Sequence, residues 1–409
     1  MNILYLHQYF RTPEEGGAVR SYYIARALVE AGHDVHMITS WNRNTYACRI
    51  VDGITVHYLA NKYDNNMSYP RRIWSFIRFV YKTNKFINDL GTFDLCYATS
   101  TPLTVGWLAM KLNKRKGIPY VFEVRDLWPE APVQLGVFNN SLIKKWLYST
   151  EHRIYLNADK IIGLSPGITN YIRNLVPFKP LYTIPNIADC DFFDPNVRDE
   201  EFAVKHGLDQ RFVITYTGAV GKINELESFL AIAKKAQDQK MSELVFVING
   251  KGSEWKRMQL LTTKMKLENV LFVPFGGKTV VRSLLSVTDI AYVSFKPLEV
   301  LETSSPNKLF DALAAGVPCA VNVQGWLREL VESKNIGFYA DQIKPDTCLH
   351  QLQALRTNPE RMHLYKQNAR KTAEMYFSRD MLTKRVVEVV EGDEGQGPTT
   401  KALAYNVIG

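Results

Sequence analysis

Little in this sequence suggests a stapled or metal-bound fold. Its 409 residues include five cysteines, Cys48, Cys96, Cys190, Cys319 and Cys348, odd in number, scattered, and without a CxxC pair. That spacing argues against a disulfide framework or a thiolate zinc site and fits a reducing compartment. The eight histidines, His7, His33 and His36 among them, form no HExxH. No run of roughly eighteen apolar residues occurs, so no spanning helix is expected. The opening MNILYLHQYFRTPEE has neither a basic start nor a long apolar segment, so no signal peptide is expected. Neither GxGxxG nor GxxxxGK[ST] is present, which leaves a dinucleotide fingerprint and a Walker loop unsupported. No tandem repeat is visible.

The chain does have the bulk and balance of a soluble globular protein, with 46% hydrophobic and 22% charged residues. Its length suggests two or more domains. The net charge of +9 permits an anionic partner: a membrane surface, a nucleic acid or a phosphorylated substrate.

Read in order, residues 2–9 (NILYLHQY) predict a first strand, followed by a loop with Gly16 and Gly17. Residues 18–30 predict a helix and 33–39 (HDVHMIT) a second strand. Strand, glycine loop, helix and strand is the βαβ order of a parallel sheet. Further strands are expected at 54–59, 93–99, 120–124, 161–164 and 182–185, with a basic, aromatic helix at 70–90. Residues 186–210 are polar and acidic and read as a linker. The pattern then restarts, with strands at 212–217, 244–248, 270–274 and 290–295. The expected layout is an N-terminal Rossmann-like domain (1–186), a linker (187–210), a C-terminal Rossmann-like domain (211–391) and a tail (392–409). The last helices of the second domain are expected to pack back on the first. Two doubly wound α/β domains face a cleft in this reading, and ligands of such sheets sit beyond the carboxyl ends of the strands.

The densest motif is ETSSPNKLFDALAAGVP at 302–318. Ser304 or Ser305 suits a helix cap and Pro306 the first turn. Leu309, Phe310, Leu313 and Ala314 recur at helical spacing, and Gly316 stops the helix. A helix start offers unpaired N–H groups and a positive dipole end, which bind phosphate. Lys308 adds a positive charge in the first turn, where the dipole favours an anion. One turn on, Asp311 offers a carboxylate to ribose hydroxyls. A capped core helix with solvated charges fits the same pattern.

Four glycine-bearing turns follow expected strands, at Gly16-Gly17, 218–221, Gly250-Lys251-Gly252 and Gly276-Gly277. Glycine lets the backbone approach a phosphate or sugar closely, and βα turns also use it for structure alone. The stretch EVRDLWPE (123–130) places Glu123, Arg125 and Asp126 at the carboxyl edge of a strand. It suits either an active site or a structural ion pair beside a packed tryptophan. Residues 71–82 (RRIWSFIRFVYK) mix Arg71, Arg72, Arg78 and Lys82 with Trp74, Phe76 and Phe79. They suit either an anionic membrane surface or a covering helix of the first sheet.

Taken in order, Gly16-Gly17…Arg20, SPGI at 165–168, IPN at 184–186, Thr217-Gly218, NGKG at 249–252 and SSPNKLFDALAAGVP at 304–318 resemble the family-four retaining glycosyltransferases of the GT-B fold. The resemblance runs to about residue 390. The EVRDLWPE and SSPNK variants are similar to a bacterial branch that builds surface polysaccharides such as O-antigen or capsule, fucosamine-type transferases included. The resemblance implies an N-terminal domain that holds the acceptor, with Gly16, Gly17, Arg20, Arg125 and Asp126 at that site. It implies a nucleotide diphosphate sugar, UDP-linked by the family branch, on the C-terminal domain. Gly218, Lys222, Gly250, Gly252, Ser304, Ser305, Asn307, Lys308 and Asp311 would hold it, with the base near Val273. Three positions depart from the family. Its first paired acid falls at Thr303, beside Glu302; Ala219 stands where an arginine is frequent, leaving Lys222 as the basic substitute; and Arg125 stands where a histidine is common.

The expected reaction is sugar transfer with retention at the anomeric carbon. Lys222 and Lys308 would neutralise the departing diphosphate, and Glu302 would stand in for the missing acid. In a front-face mechanism the leaving phosphate can take the acceptor proton; Asp126 is the carboxylate expected if the protein supplies one. No cofactor and no metal are expected, since no DxD-like pair sits at a plausible site. No nucleic acid is expected as a partner. The expected acceptor is a lipid-linked sugar or a saccharide, met at the cytoplasmic face of the membrane with residues 71–82 docked on anionic lipid. Two other readings use the same architecture. A nucleotide-sugar 2-epimerase would turn over without any acceptor, and a non-catalytic scaffold would bind a nucleotide sugar and consume none.

Overall fold

The structure, a computed structural model, describes residues 1–17, 19–64 and 67–392. Ala18, the expected first residue of the first helix, and residues 393–409 of the expected tail lie outside the described residues. The chain divides into two compact units. The first holds Met1–Pro185, Thr303–Ser305 and the last described helix from Asp380 on. The second holds Asn186–Glu302 and Pro306–Arg379.

In the first unit, eight strands make one sheet: β1 (Asn2–Leu6), β2 (Asp34–Trp41), β3 (Ala47–Val51), β4 (Ile54–Ala60), β5 (Leu95–Thr99), β6 (Tyr120–Val124), β7 (Lys160–Gly163) and β8 (Leu181–Thr183). Their order is β3-β4-β2-β1-β5-β6-β7-β8. Strands β5 and β6 are buried along their whole length, as apolar runs covered on both faces must be. The chain crosses from β1 to β2 on one side and later returns to β5 on the other. That reversal opens a crevice at the carboxyl end of β1, where His7, Gln8 and Tyr9 follow.

The antiparallel strand β3 is absent from the sequence expectation. Its middle residues, Cys48, Arg49 and Ile50, are exposed, so it carries no buried face to give an alternating signal. What forms it is the two-residue turn Asp52-Gly53, with φ of 47° and 81°, the twist that suits a tight hairpin.

The second unit carries β9 (Phe212–Ala219), β10 (Leu244–Lys251), β11 (Val270–Pro274), β12 (Ile290–Val293), β13 (Cys319–Val321) and β14 (Gly337–Tyr339). They form a six-stranded parallel sheet ordered β11-β10-β9-β12-β13-β14. Ile214, Phe229, Phe246 and Tyr292 anchor the core on one face, and Val213, Val247 and Leu284 the core on the other. The order reverses between β9 and β12, so the turn after β9 stands at this sheet's own crevice.

Most of the polar stretch 187–210 is built into the second unit. Ala188 donates its N–H to the Phe377 carbonyl at 2.7 Å. The Arg370 guanidinium donates to the carbonyls of Phe193 and Ala314, both at 2.6 Å. A short helix, Glu200–Lys205, is capped by the Asp199 carboxylate, which accepts from Phe202 N at 2.9 Å. The last described helix, Arg379–Glu391, belongs to the first unit from Asp380 on. Lys160 Nζ donates to the Val389 carbonyl at 2.7 Å, and His33 lies 3.1 Å from Glu391.

Candidate functional site

In the second unit the site is built around the helix Asn307–Ala314, which starts directly after Pro306. Leu309, Phe310 and Leu313 bury its apolar face, which fixes the first turn in place. From that turn the half-buried Lys308 side chain reaches the turn after β9. A Cβ added to Gly218 would stand 3.4 Å from Lys308 Cε. The ammonium donates to Tyr216 Oη at 2.8 Å and lies 4.0 Å from the centre of that ring and 5.5 Å from that of Phe295. Tyr216 Oη in turn donates to the Ala219 carbonyl at 2.6 Å. Burial alone pushes the Lys308 ammonium down to about 7, because the rings around it replace water without supplying a counter-charge. One turn on, burial pushes the Asp311 carboxyl up to about 7, opposed by Lys278 and assisted by Asp189. The helix therefore presents a cation and an acid that both titrate near neutrality.

The glycines after β9 and β10 serve each other. Gly250 pairs with Gly218, and a Cβ there would lie 1.8 Å from the Gly218 carbonyl oxygen. A Cβ on Gly252 would lie 2.2 Å from the Val220 oxygen. Just past them, Lys222 lines a cavity of about 470 Å³ with Lys296, Arg257, Glu227 and Glu254. Arg257 pairs with both of those acids, while Lys222 stands exposed. Val273 is buried and its carbonyl accepts from Asn249 Nδ2 at 3.0 Å. Beside it Lys251 Nζ lies 3.9 Å over the exposed Phe275 ring. Glu302 is half-buried, and burial, with Glu299, raises its carboxyl.

In the first unit the sheet ends at Arg125 and Asp126, half-buried and exposed. Arg125 N donates to Ser100 Oγ at 2.9 Å, which fixes the turn. Next to them His7 is buried, and burial together with Arg125 keeps its imidazole well below the usual value, hence neutral. Gly16 and Gly17 both have positive φ, and nothing stands within 4 Å of a Cβ placed on Gly17. Arg20 has a different task from the acceptor contact expected of it. It is fully buried, and its Nε donates to Glu123 Oε2 at 3.0 Å. Its other nitrogens donate to the carbonyls of Pro185 and Ile184, the latter at 3.1 Å. Tyr97 Oη also donates to Glu123 Oε2, at 2.8 Å. The ion pair of this strand end is thus Arg20–Glu123, which ties β6 to the end of the unit and leaves Arg125 and Asp126 at the edge.

Two family models match the chain: "Glycosyl transferase 4-like domain" over residues 15–186 and "Glycosyl transferases group 1" over residues 197–372. Together they cover most of it. The chain belongs to the family-four glycosyltransferases. Its fold is GT-B, since similar solved structures span the whole architecture. The sucrose-phosphate synthase of Thermosynechococcus elongatus matches at 15% identity and a TM-score of 0.77, over 96% of this chain and 98% of that one. HepE of Anabaena, solved with UDP and glucose, matches at 14% and 0.68, over 96% and 99%. WaaG, described as a glycosyltransferase involved in lipopolysaccharide biosynthesis, matches at 14% and 0.68, over 95% and 100%. No curated protein sequence matches the chain.

Within this glycosyltransferase the SPGI motif meets Thr303, the residue just before SSPNK. Ser165 caps the helix Pro166–Leu175, and its Oγ donates to the Thr303 carbonyl at 2.6 Å. Gly167 leaves room for Thr303, whose side chain would be 2.9 Å from a Cβ there. Thr303 therefore has a packing role where the family commonly has an acid. Ser304 and Ser305 follow it, both buried, and Asn307 opens the helix. Sequence reasoning missed Tyr216, Phe295 and Lys296, each of which is far from its partner along the chain and carries no local motif. In residues 71–82, Phe76 and Phe79 are core residues and not interface residues. Arg72 Nε donates to the Met67 carbonyl at 3.0 Å and Lys82 Nζ to that of Ala60, whereas Arg71, Trp74 and Arg78 are exposed. Among the described residues no helix is long and apolar enough to cross a membrane.

Proposed function

We propose that this glycosyltransferase moves a sugar from a UDP-linked donor, with retention, to a lipid-linked or saccharide acceptor in the building of a bacterial surface polysaccharide. The observation that carries the reading is the helix start at Asn307, where desolvated Lys308 faces the Gly218 turn with Asp311 one turn behind it. A diphosphate supplies the counter-charge that Lys308 lacks, and ribose hydroxyls are natural donors to Asp311. Lys222, on the exposed turn beyond Gly218, adds a second cation for the leaving group. Arg125 and Asp126, with Gly16 and Gly17, take the acceptor end. The leaving phosphate accepts the acceptor proton, with Asp126 as the carboxylate of the protein if one takes part. Charge neutralisation rests on lysines in this reading, and activity should survive a chelator.

The closest competitor is an epimerase on the same fold. Thermal shift against a panel of nucleotide sugars identifies the donor, since a ligand of the folded state raises Tm. Product analysis then decides. Sugar transfer only when acceptor is present supports the proposal, whereas conversion of the donor sugar without acceptor overturns it. We place the enzyme at the cytoplasmic face of the membrane, where its five free thiols stay reduced.

The paired titrations predict a bell-shaped affinity. Below about pH 7 Asp311 is mostly protonated, and above it Lys308 is mostly neutral. A UDP-sugar prefers the charged form of each, so its affinity should peak near neutrality and fall on both sides. Calorimetry should show proton release on binding below the peak and uptake above it. Lys308→Met should remove the alkaline limb and Asp311→Asn the acid limb. A flat profile in the wild type would sink the assignment of both groups to the donor.

A further inference from the structure

Three of the seven tryptophans stand exposed: Trp74 at 65%, Trp107 at 36% and Trp146 at 63%. Each belongs to a different helix of the first unit, Tyr69–Phe86, Leu103–Lys116 and Ser141–Asn157. These helices lie side by side, the first against the second and the second against the third. They connect β4 to β5, β5 to β6 and β6 to β7, three crossovers in the same direction along the sheet, so right-handedness puts all three on one face. Each tryptophan lies within the first six residues of its helix. A crossover helix begins at the carboxyl edge of its sheet, so the three share the edge where Arg125 and Asp126 stand. Tyr69, Leu142 and Ile143, all exposed, lie in the same first turns.

The charge on these helices has one sign. They carry five, four and three lysines and arginines respectively, and one carboxylate, Glu151. Glu151 is buried, accepts from Tyr155 Oη at 3.0 Å and Tyr171 Oη at 3.2 Å, and burial pushes it up to about 8. No exposed carboxylate on these three helices therefore offsets their cations. Lys111 Nζ lies 5.0 Å over the Trp107 ring, so cation and aromatic alternate even locally. An outer helical face in water is ordinarily polar and mixed in charge. Tryptophans among cations without anions match instead the headgroup level of an anionic bilayer. A second copy of the chain would set these cations against each other.

We propose that the outer face of these three helices docks on an anionic lipid bilayer, with Trp74, Trp107 and Trp146 at headgroup depth. This extends the docking expected of residues 71–82 to a platform of three helices beside the acceptor edge. It does not depend on the transfer reading, because binding is measured without donor or acceptor.

The test is sedimentation of the full chain with phosphatidylcholine vesicles, with and without phosphatidylglycerol. Binding is expected only to the anionic vesicles, with release by salt. Replacing Trp74, Trp107 and Trp146 together by alanine should lower partitioning at least about tenfold. Because Trp107 is partly packed, a second variant, Arg78→Glu with Lys145→Glu, alters only exposed charge. It should lower partitioning by at least about tenfold as well, with Tm and UDP-sugar hydrolysis unchanged. Equal binding to both vesicle types, no binding to either, or wild-type binding by both variants overturns the proposal. So does lipid-free self-association that the tryptophan variant abolishes, which would make a second copy the occupant. Vesicle binding without sugar transfer would count against the transfer reading alone.

Discussion

Replacing Lys308 by methionine should lower kcat for sugar transfer about 10²–10³-fold, the usual loss when one preorganised charge partner of a developing anion is removed. Tm should stay where it is or rise. The asymmetry follows from the environment of the side chain. Its ammonium has a phenol oxygen at 2.8 Å and two aromatic rings, and burial has already brought it to about 7. A desolvated cation without a counter-ion costs the fold stability, and methionine fills the same volume without that cost. Charge on the leaving diphosphate grows as the glycosidic bond breaks, so kcat should fall more than KM rises. Lys222→Met should cost less, about tenfold, because an exposed lysine is screened by water. Activity of Lys308→Met within threefold of wild type, or a large drop in its Tm, would remove Lys308 from the chemistry.

What the sequence made legible is what local pattern can encode. Fully buried strands such as β5 and β6 are continuous apolar runs, and the helix Asn307–Ala314 is announced by its proline, its apolar stripe and Gly316. Strands β3 and β14 were not legible, because one is exposed and the other is a three-residue strand that opens on a glycine. The site was half legible. Lys308 and Asp311 come from one helix and could be read together. The aromatic surroundings that set the Lys308 titration come from residues distant along the chain, Tyr216 among them, and no spacing reports them. Arg20 shows the converse error. The family resemblance implied an acceptor contact for it, yet its partners Glu123, Ile184 and Pro185 turn it into a buried strut. Charged residues at strand ends look alike in sequence whether they meet a substrate or each other, and only burial separates them.

Gly250→Ala should destabilise the second unit by about 3 kcal/mol or more, through backbone strain and a steric clash together. Gly250 has φ of 150°, in a region that side chains avoid, and it lies directly opposite Gly218 in the β9–β10 pairing. A methyl group there would meet the Gly218 carbonyl oxygen at 1.8 Å, and that oxygen belongs to backbone that cannot swing away. Beyond this pair the two chains stay laced together. Val220 N donates to the Lys251 carbonyl at 2.9 Å and Glu254 N to the Val220 carbonyl at 3.0 Å. Forcing the strands apart at Gly250 therefore disturbs the turn that carries Lys222 as well. Gly221→Ala is the control. Its φ is −125°, and an added Cβ would lie 3.5 Å from Asn224 Oδ1, so its cost should stay within about 0.5 kcal/mol. Urea unfolding followed by tryptophan fluorescence reads both, since Trp255 and Trp326 belong to the second unit. If glycine is present at 250 only so that a ligand can approach, Gly250→Ala will unfold with the wild type and merely lose nucleotide affinity. A midpoint shifted far below that of Gly221→Ala would show instead that the glycines of NGKG join two strand ends first, and that the nucleotide is offered a surface already fixed by that contact.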